Sequence, residues 1–143
     1  MPILRDWALS IDADTVVRGQ GAEPAVIRRR SPILIAVAER ALAEGLPLLE
    51  PIVLYRQMAV KSLRHGRLVL VGGGTLSGRL LSQYLAGAQQ VVVIVCTIGE
   101  RLEKRASELI VNDPPYGLAL DSLGSAADKA LAAATCKYFE ARA

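Results

Sequence analysis

The chain has 143 residues, the usual size of one domain, and 52% of them are hydrophobic while only 4% are aromatic. The scarcity of aromatic rings argues against a stacking platform for single-stranded nucleic acid, and a net charge of +3 is too small to indicate nucleic-acid binding. No stretch approaches the roughly 20 apolar residues that span a bilayer. The first residues also lack the layout of a signal peptide. We therefore expect a soluble, cytoplasmic single domain over residues 1–143, with neither nucleic acid nor a membrane as a partner.

The first 30 residues predict little regular structure. Leu4–Ile11 has the composition of a short edge strand, and Asp14–Arg18 that of a single helical turn ended by Gly19 and Gly21. The basic run Arg28-Arg29-Arg30 is typical of a solvated turn. A docking patch for an acidic partner or a phosphate is the functional alternative for this run.

A helix is predicted from Ser31 and Pro32 to Gly45. Serine suits the N-cap of a helix, proline suits its first position, and glycine commonly ends it. The residues that follow, Leu48–Val60, have the composition of an extended segment, although Pro51 weakens its first part.

The turn Gly72-Gly73-Gly74 is the first candidate for chemistry. The pattern predicts a strand over Arg67–Val71 before it and a helix over Leu76–Leu85 after it, and a helix N-terminus behind glycines favours an anion. The residues complete neither a Walker loop nor a dinucleotide fingerprint, so a structural tight turn and a phosphate-binding loop both stay open. The β-branched run in Gln90–Cys96 predicts a strand buried on both faces, paired through a crossover unit.

Two helices are predicted in the last third of the chain. Thr97 and Glu100 have the spacing of a capping box that would begin the first of them, and Asp113-Pro114-Pro115 would end it. The second runs over Tyr116–Glu140 with apolar residues at helical spacing. Its predicted buried stripe is Tyr116, Leu120, Leu123, Ala127, Leu131, Ala134 and Tyr138.

A second face of the last predicted helix carries Asp121, Ser125 and Asp128, which are four and three residues apart. One interpretation is that this face is solvated or tightly packed. The alternative is that Asp121 accepts a hydrogen bond from the backbone of the turn at Thr97-Ile98-Gly99 and forms the wall of a pocket. The ligand or pocket candidates are therefore Thr97, Gly99, Glu100, Asp121, Ser125, Gly72, Gly73 and Gly74.

The remaining titratable residues indicate neither a metal site nor a complete catalytic site. His65 is the only histidine and has no cluster of cysteines or carboxylates around it, so we expect an exposed loop residue. Cys96 and Cys136 lie in apolar stretches, which favours two buried thiols in a reducing compartment. Catalytic residues therefore stay unknown, and turnover by this chain alone is the least supported hypothesis.

Three stretches together resemble the activation domain of cobalamin-dependent methionine synthase and its stand-alone relatives. Val16–Gly21 (VVRGQG) is similar to an opening of those relatives, Leu85–Gly99 to their block ending in TIG, and Ala119–Ala127 (ALDSLGSAA) to their helix with the sequence LDxxGSAA. The resemblance covers Asp14 to Glu140. It implies an α+β fold with a bent, mixed or antiparallel sheet flanked by helices and a long C-terminal helix.

The resemblance also implies a function: an accessory domain of corrinoid-dependent methyl transfer that docks on a cobalamin-carrying protein and supports its reactivation. Cobalamin would be bound through that partner, and a homodimer is also expected from an exposed sheet edge. The family's S-adenosylmethionine motif, Arg-x-x-x-Gly-Tyr, does not occur in this sequence, as if the domain were shortened. The alternatives are a small-molecule or nucleotide-binding domain that uses the turn Gly72–Gly74, and a non-catalytic homo-oligomeric module.

Overall fold

The computed structural model describes residues 2–143 and has an α+β architecture with an antiparallel sheet and a long C-terminal helix, which confirms the predicted class. The helices are α1 Ala13–Gly19, α2 Pro24–Arg30, α3 Pro32–Gly45, α4 Leu81–Tyr84, α5 Arg101–Leu109 and α6 Pro114–Glu140, with a 3-10 turn at Leu46–Leu48. The strands are β1 Ile3–Leu4, β2 Ile52–Arg64, β3 Arg67–Leu70, β4 Thr75–Ser77 and β5 Gln90–Thr97.

The chain divides into two compact units. Residues 2–3 and Leu54–Val95 form the first, which we call the sheet unit. Leu4–Val53 and Cys96–Ala143 form the second, the helical unit, which therefore comes from two separate parts of the chain.

Aliphatic side chains and alanines from α1, α3, α5 and α6 form the core of the helical unit, as the composition predicts. Gly45 lets α3 approach α6, because a Cβ at this position would lie 2.6 Å from Leu123 Cδ2. The predicted stripe of α6 is buried from Tyr116 to Leu131 and only half-buried at its last two positions. Thr135 is buried instead, with its hydroxyl donating to the carbonyl of Leu131 at 2.7 Å.

Local hydrogen bonds explain where α1 begins. The carboxylate of Asp12 accepts from the backbone N–H of Thr15 at 2.8 Å and from the Thr15 hydroxyl at 2.7 Å, which is a standard N-cap. These two hydrogen bonds hold the pKa of Asp12 below its usual value. The predicted helical turn at Asp14–Arg18 is thus confirmed within a slightly longer helix.

The basic run is not a turn, and that prediction was wrong. Arg28, Arg29 and Arg30 form the last turn of α2, which begins with a proline at its first position. Basic side chains are favourable there because they face the partial negative charge of a helix C-terminus, and Arg28 also pairs with Asp14. Helix α3 confirms the helix predicted from Ser31 and Pro32 to Gly45. The Ser31 side chain, however, makes no capping hydrogen bond.

The sheet of five strands has the order β1-β2-β3-β4, with β5 paired to β2 as well. Strands β2 and β3 form an antiparallel hairpin in which Arg64 lies opposite Arg67 and Val60 opposite Leu70. The turn residues His65 and Gly66 have φ angles of 53° and 71°, and His65 is exposed as predicted. One extra residue, Lys61, forms a β-bulge in β2 between two registers of this pairing.

The predicted crossover around the glycines was wrong. Strand β4 follows them and pairs with β3 in an antiparallel hairpin, and only Leu81–Tyr84 of the helix predicted over Leu76–Leu85 is helical. Strand β5 was predicted correctly in position but not in burial: its residues alternate between half-buried and exposed, with Val92 38% and Val95 56% exposed. A β-branched run favours a strand without specifying that both faces are covered.

Two further extended predictions need correction. The edge strand expected over Leu4–Ile11 is limited to Ile3–Leu4, and Asp6 has a φ of 64°, a left-handed conformation that interrupts extended pairing. The segment expected over Leu48–Val60 begins as strand at Ile52 and continues to Arg64.

Candidate functional site

The helical unit contains a cavity of about 380 Å³ between the end of β5, helix α5 and helix α6. Its lining combines the turn after β5 with one face of each helix. The lining residues are Cys96, Thr97, Ile98, Gly99, Leu102, Glu103, Ala106, Leu120, Asp121, Gly124, Ser125 and Asp128.

The turn Thr97-Ile98-Gly99 forms one wall of this cavity. Gly99 has a φ of 82°, and its N–H donates to the Thr97 hydroxyl oxygen at 3.1 Å. The carbonyl of Ile98 accepts from the N–H of Glu50 at 2.8 Å, which ties the turn to the residues before β2. A Cβ on Gly99 would lie 2.9 Å from that of Glu50, so both conformation and space require glycine here.

The predicted capping box at this turn was wrong. The Thr97 hydroxyl bonds to Gly99 two residues on, as in an ST-turn, instead of to the N–H of Glu100. Glu100 itself occupies the N-cap position of α5 without a side-chain capping bond, and its carboxylate pairs with Lys104 at 2.9 Å. Glu100 is also not among the cavity-lining residues.

Helix α6 contributes Asp121, Ser125 and Asp128 to the opposite wall, as their helical spacing predicts. Gly124 lies between them, and a Cβ there would be 3.5 Å and 3.7 Å from the nearest atoms of Leu102 and Ile98, which are ordinary contact distances, so the space does not require glycine at this position. The hydrogen bond predicted from the turn backbone to Asp121 is not formed, because the N–H of Gly99 already bonds within the turn. Asp121 is exposed and makes no hydrogen bond or ion pair within residues 2–143.

Three carboxylates line the cavity, those of Glu103, Asp121 and Asp128, while its lining includes neither lysine nor arginine. The site therefore offers acceptors to donors or cationic groups. Whether S-adenosylmethionine binds, which the resemblance left possible although its motif is absent, stays a prediction.

The cysteines differ from the prediction of two buried thiols. Cys96 lines the cavity and is half-buried, with its sulfur 3.9 Å from the hydroxyl oxygen of Thr135, and Cys136 is exposed. Neither forms a disulfide. Cys96, together with Leu102, Ala106 and Glu103 of the lining, was not among the predicted site residues. For Leu102 and Ala106 the available signal was their helical spacing in α5, but without α6 in place it indicates only a core face.

The predicted glycines lie in the sheet unit, at the tip of the hairpin β3–β4, and not in the cavity. Gly72, Gly73 and Gly74 all have positive φ angles of 89°, 112° and 99°. The hairpin closes through the N–H of Leu70, which donates to the carbonyl of Gly74 at 3.1 Å. Since a strand follows instead of a helix, the helix dipole that would favour a phosphate is missing at this turn. A tight turn explains the three glycines by their backbone angles alone.

Two of the three stretches on which the predicted resemblance rests, Val16–Gly21 and Ala119–Ala127, are in contact in the helical unit. The buried Ser122, between Asp121 and Leu123, donates from its hydroxyl to the carbonyl of Val16 at 2.7 Å. Gly19 packs against the same hydroxyl so closely that a Cβ at that position would overlap with it. Thus one face of the ALDSLGSAA segment packs on α1, while another lines the cavity.

No described helix is long and apolar enough to cross a membrane, and residues 2–143 contain no group of three or more His, Cys, Asp or Glu placed to hold a metal ion. The chain matches no protein-family model and no curated protein.

Proposed function

We propose that this chain is a cytoplasmic accessory module of cobalamin-dependent methyl transfer. In this proposal it docks on a corrinoid-carrying protein and supports the return of that protein's cobalt to the active state. It acts by protein–protein contact, and no step of covalent chemistry is assigned to its own residues.

One observation carries the proposal. The turn Thr97–Gly99 and the segment Leu120–Ser125 belong to two separate stretches that resemble the activation domain, and they line the same cavity. Residues 100–118 separate them in the sequence, so their convergence depends on the packing of α5 against α6. The stretch Val16–Gly21 supports it from behind through the buried hydrogen bond to Ser122. Residues from all three stretches therefore line this cavity or pack directly behind it, which supports the proposal.

The cavity wall offers exposed polar groups at a position where a partner can reach them. Asp121 and Ser125 are exposed, lie one helical turn apart on α6, and are not engaged by other side chains within residues 2–143. Free carboxylate and hydroxyl groups at the mouth of a cavity can accept hydrogen bonds from a docking protein without first breaking internal ones. In the proposal, these two side chains orient the partner over the cavity.

The test uses a defined corrinoid protein, the cobalamin-binding domain of a methionine synthase loaded with hydroxocobalamin. Isothermal titration calorimetry measures its dissociation constant with the parent chain and with Asp121→Ala/Ser125→Ala. We expect the double variant to bind about 10-fold more weakly, equivalent to about 1.4 kcal/mol, for two lost polar contacts. Glu140→Ala is the matched control, since Glu140 is an exposed acidic residue of the same helix outside the cavity.

A second readout follows the cobalt itself. The visible spectrum of the loaded domain should change when the parent chain is added, because docking alters the surroundings of the corrinoid. If the parent chain neither binds nor changes the spectrum, the proposed function is wrong. Equal weakening by Glu140→Ala would show that overall charge, and not the cavity, governs the binding.

A further inference from the structure

Charge is divided very unevenly between the two units. Residues 51–99 contain no aspartate or glutamate, so all fourteen acidic residues belong to the helical unit. The sheet unit has a basic residue at five positions and no acidic one. These five residues are Arg56, Lys61, Arg64, Arg67 and Arg79. All ion pairs found within residues 2–143 lie in the helical unit, so none of the five is neutralised by one.

Three of the five arginines and lysines lie together at one end of the sheet. Arg64 and Arg67 are direct cross-strand partners on either side of the turn at His65 and Gly66. The carbonyl of Gly66 accepts from the N–H of Gly78 at 3.0 Å, which brings Arg79 beside the same turn. Like charges placed directly opposite each other destabilise a hairpin. Three exposed guanidinium groups without a carboxylate therefore favour the binding of an external anion, which would offset their repulsion.

Large apolar side chains are exposed next to these arginines. Leu80 is 59% exposed and Tyr84 is 72% exposed, and the segment from Gly78 to Leu85 surrounds an open depression of about 530 Å³. We call the surface formed by Arg64, Arg67, Arg79, Leu80 and Tyr84 the basic end. It combines unneutralised positive charge with exposed apolar area in one short stretch of surface.

The combination indicates the class of partner. A protein partner of complementary charge would have to present an acidic patch to this end of the sheet. A unit with cations alone fits a uniformly anionic surface, which is either nucleic acid or a bilayer with anionic lipids. An exposed leucine contributes little to the binding of nucleic acid, whereas leucine and tyrosine side chains are favourable at the interface of a bilayer.

We propose that the basic end docks peripherally on an anionic membrane surface. Arg64, Arg67 and Arg79 contact lipid phosphates and carboxylates, while Leu80 and Tyr84 enter the region between headgroups and acyl chains. This contact requires no spanning helix. It is independent of the corrinoid proposal, since the basic end and the cavity belong to different units and can be altered separately.

The expected size of the effect follows from the charges. Each arginine near an anionic leaflet contributes about five-fold to the partition coefficient at physiological salt, so three together contribute roughly 100-fold. Co-sedimentation with phosphatidylcholine vesicles, with and without phosphatidylserine, measures this coefficient for the full chain. We expect binding only when phosphatidylserine is present. The triple variant Arg64→Ala/Arg67→Ala/Arg79→Ala should lose roughly 100-fold, and a Leu80→Ser/Tyr84→Ser variant should also bind more weakly.

Two control variants make the test specific. Replacing the same three arginines by lysine keeps the charge and should keep binding near that of the parent chain. Replacing Arg18, Arg29 and Arg30 of the helical unit by alanine makes the same change in net charge at exposed residues elsewhere, and should leave lipid binding within about two-fold. The melting temperature of every variant is measured first, and lipid binding is compared at a temperature at which each variant is folded, so that a loss of binding does not reflect unfolding.

The proposal is overturned if the parent chain does not sediment with phosphatidylserine vesicles. It is also overturned if the helical-unit control loses as much binding as the triple variant, which would mean that net charge alone acts. Tighter binding to a DNA duplex than to vesicles, unaffected by Leu80→Ser/Tyr84→Ser, would identify nucleic acid as the anionic partner instead. Binding of the cobalamin-loaded domain by a triple variant that no longer binds vesicles would show that the two proposals stand separately.

Discussion

The contact between α1 and α6 allows a quantitative test of how the stretches resembling the activation domain pack. Ser122 donates to the carbonyl of Val16 in the core, and Gly19 lies so close that only the Ser122 hydroxyl blocks a methyl group there. A Cβ at position 19 would be 3.6 Å from the Cβ of Ser122, which is an ordinary van der Waals distance. Gly19 does not have a positive φ, so alanine is compatible with its backbone.

The two single substitutions should each destabilise the protein, for different reasons. Ser122→Ala removes one buried hydrogen bond and should cost about 1 kcal/mol, because the Val16 carbonyl keeps a bond from the N–H of Gln20. Gly19→Ala forces the hydroxyl away from Val16 and overpacks the contact, at about 2 kcal/mol. Alanine is a better helix former than glycine by up to about 0.8 kcal/mol, so the net loss in the free energy of unfolding of this variant is about 1.2 kcal/mol.

The double variant should lose less stability than the sum of the losses of the two single variants. Once the hydroxyl is absent, the new methyl group fits, so Gly19→Ala becomes neutral or stabilising by about 0.8 kcal/mol in the Ser122→Ala background. The coupling energy is then about 2 kcal/mol in favour of the double variant. Urea unfolding of the four proteins, followed by far-ultraviolet circular dichroism, measures it. Additive losses, within about 0.5 kcal/mol, would refute the packing described for this contact.

Three further predictions concern the helical unit. Asp121→Ala should change the free energy of unfolding by less than about 0.5 kcal/mol, as should the control Glu140→Ala, because both side chains are exposed. A larger loss for Asp121→Ala in a urea titration would mean that the Asp121 carboxylate is hydrogen-bonded. Gly117→Ala should destabilise by about 1–3 kcal/mol by the same assay, since its Cβ would lie 2.6 Å from the backbone of Ile110, and unchanged stability would contradict this close approach. Burial, followed by a hydrogen bond to a carboxylate, raises the pKa of Tyr116 from 10.0 to about 12. The stabilisation by the protonated phenol is therefore complete below pH 10 and is lost between pH 10 and about 12. The free energy of unfolding of Tyr116→Phe should depend less on pH in that range, and identical pH profiles for the variant and the parent chain would refute this assignment.

The carboxylate that bonds to Tyr116 is that of Glu44, and this bond in turn lowers the pKa of Glu44. Arg40 lies over the Tyr116 ring at 4.0 Å and pairs with Glu44 as well. Sequence reasoning predicted the burial of Tyr116 from the stripe of α6, but not this polar group around it. Arg40 and Glu44 are one turn apart on α3, and only the packing of two distant helices brings a tyrosine between them.

The helical unit was more predictable than the sheet unit because its signals are local. Pro32 marks where α3 begins, and the 3.6-residue spacing of apolar residues in α6 identifies its buried face. The start of α6 was predicted two residues late, at Tyr116, because Pro114 and Pro115 were interpreted only as the end of the helix before them, whereas they form the first turn of α6. Pairing in a sheet depends instead on residues far apart in sequence. The segment Val71–Gly74 can connect a strand to a helix or to another strand, and only the pairing of Val69 with Thr75 decides for the hairpin.

The candidate site was predictable in part for the same reason. The spacing of Asp121, Ser125 and Asp128 is a property of one helix, so sequence placed them on one face, and the structure does as well. The hydrogen bonding of the turn at Thr97 could not be predicted, since a capping box and an ST-turn use the same residue types. The burial of Thr135, which bonds to its own helix, likewise has no signal in the hydrophobic pattern.

The discontinuous helical unit has a consequence for how the chain folds during synthesis. Val16 and Leu120 belong to one core, yet Leu54–Val95, nearly all of the sheet unit, is made between them. On the ribosome, α1 and α3 therefore emerge with their apolar faces uncovered and remain so until α6 has been translated, several seconds later at ordinary elongation rates of roughly 5–20 residues per second. The sheet unit, by contrast, is complete once Val95 has emerged and consists mainly of hairpins between neighbouring strands. Its pairing can form first and shorten the effective loop that the two halves of the helical unit must close.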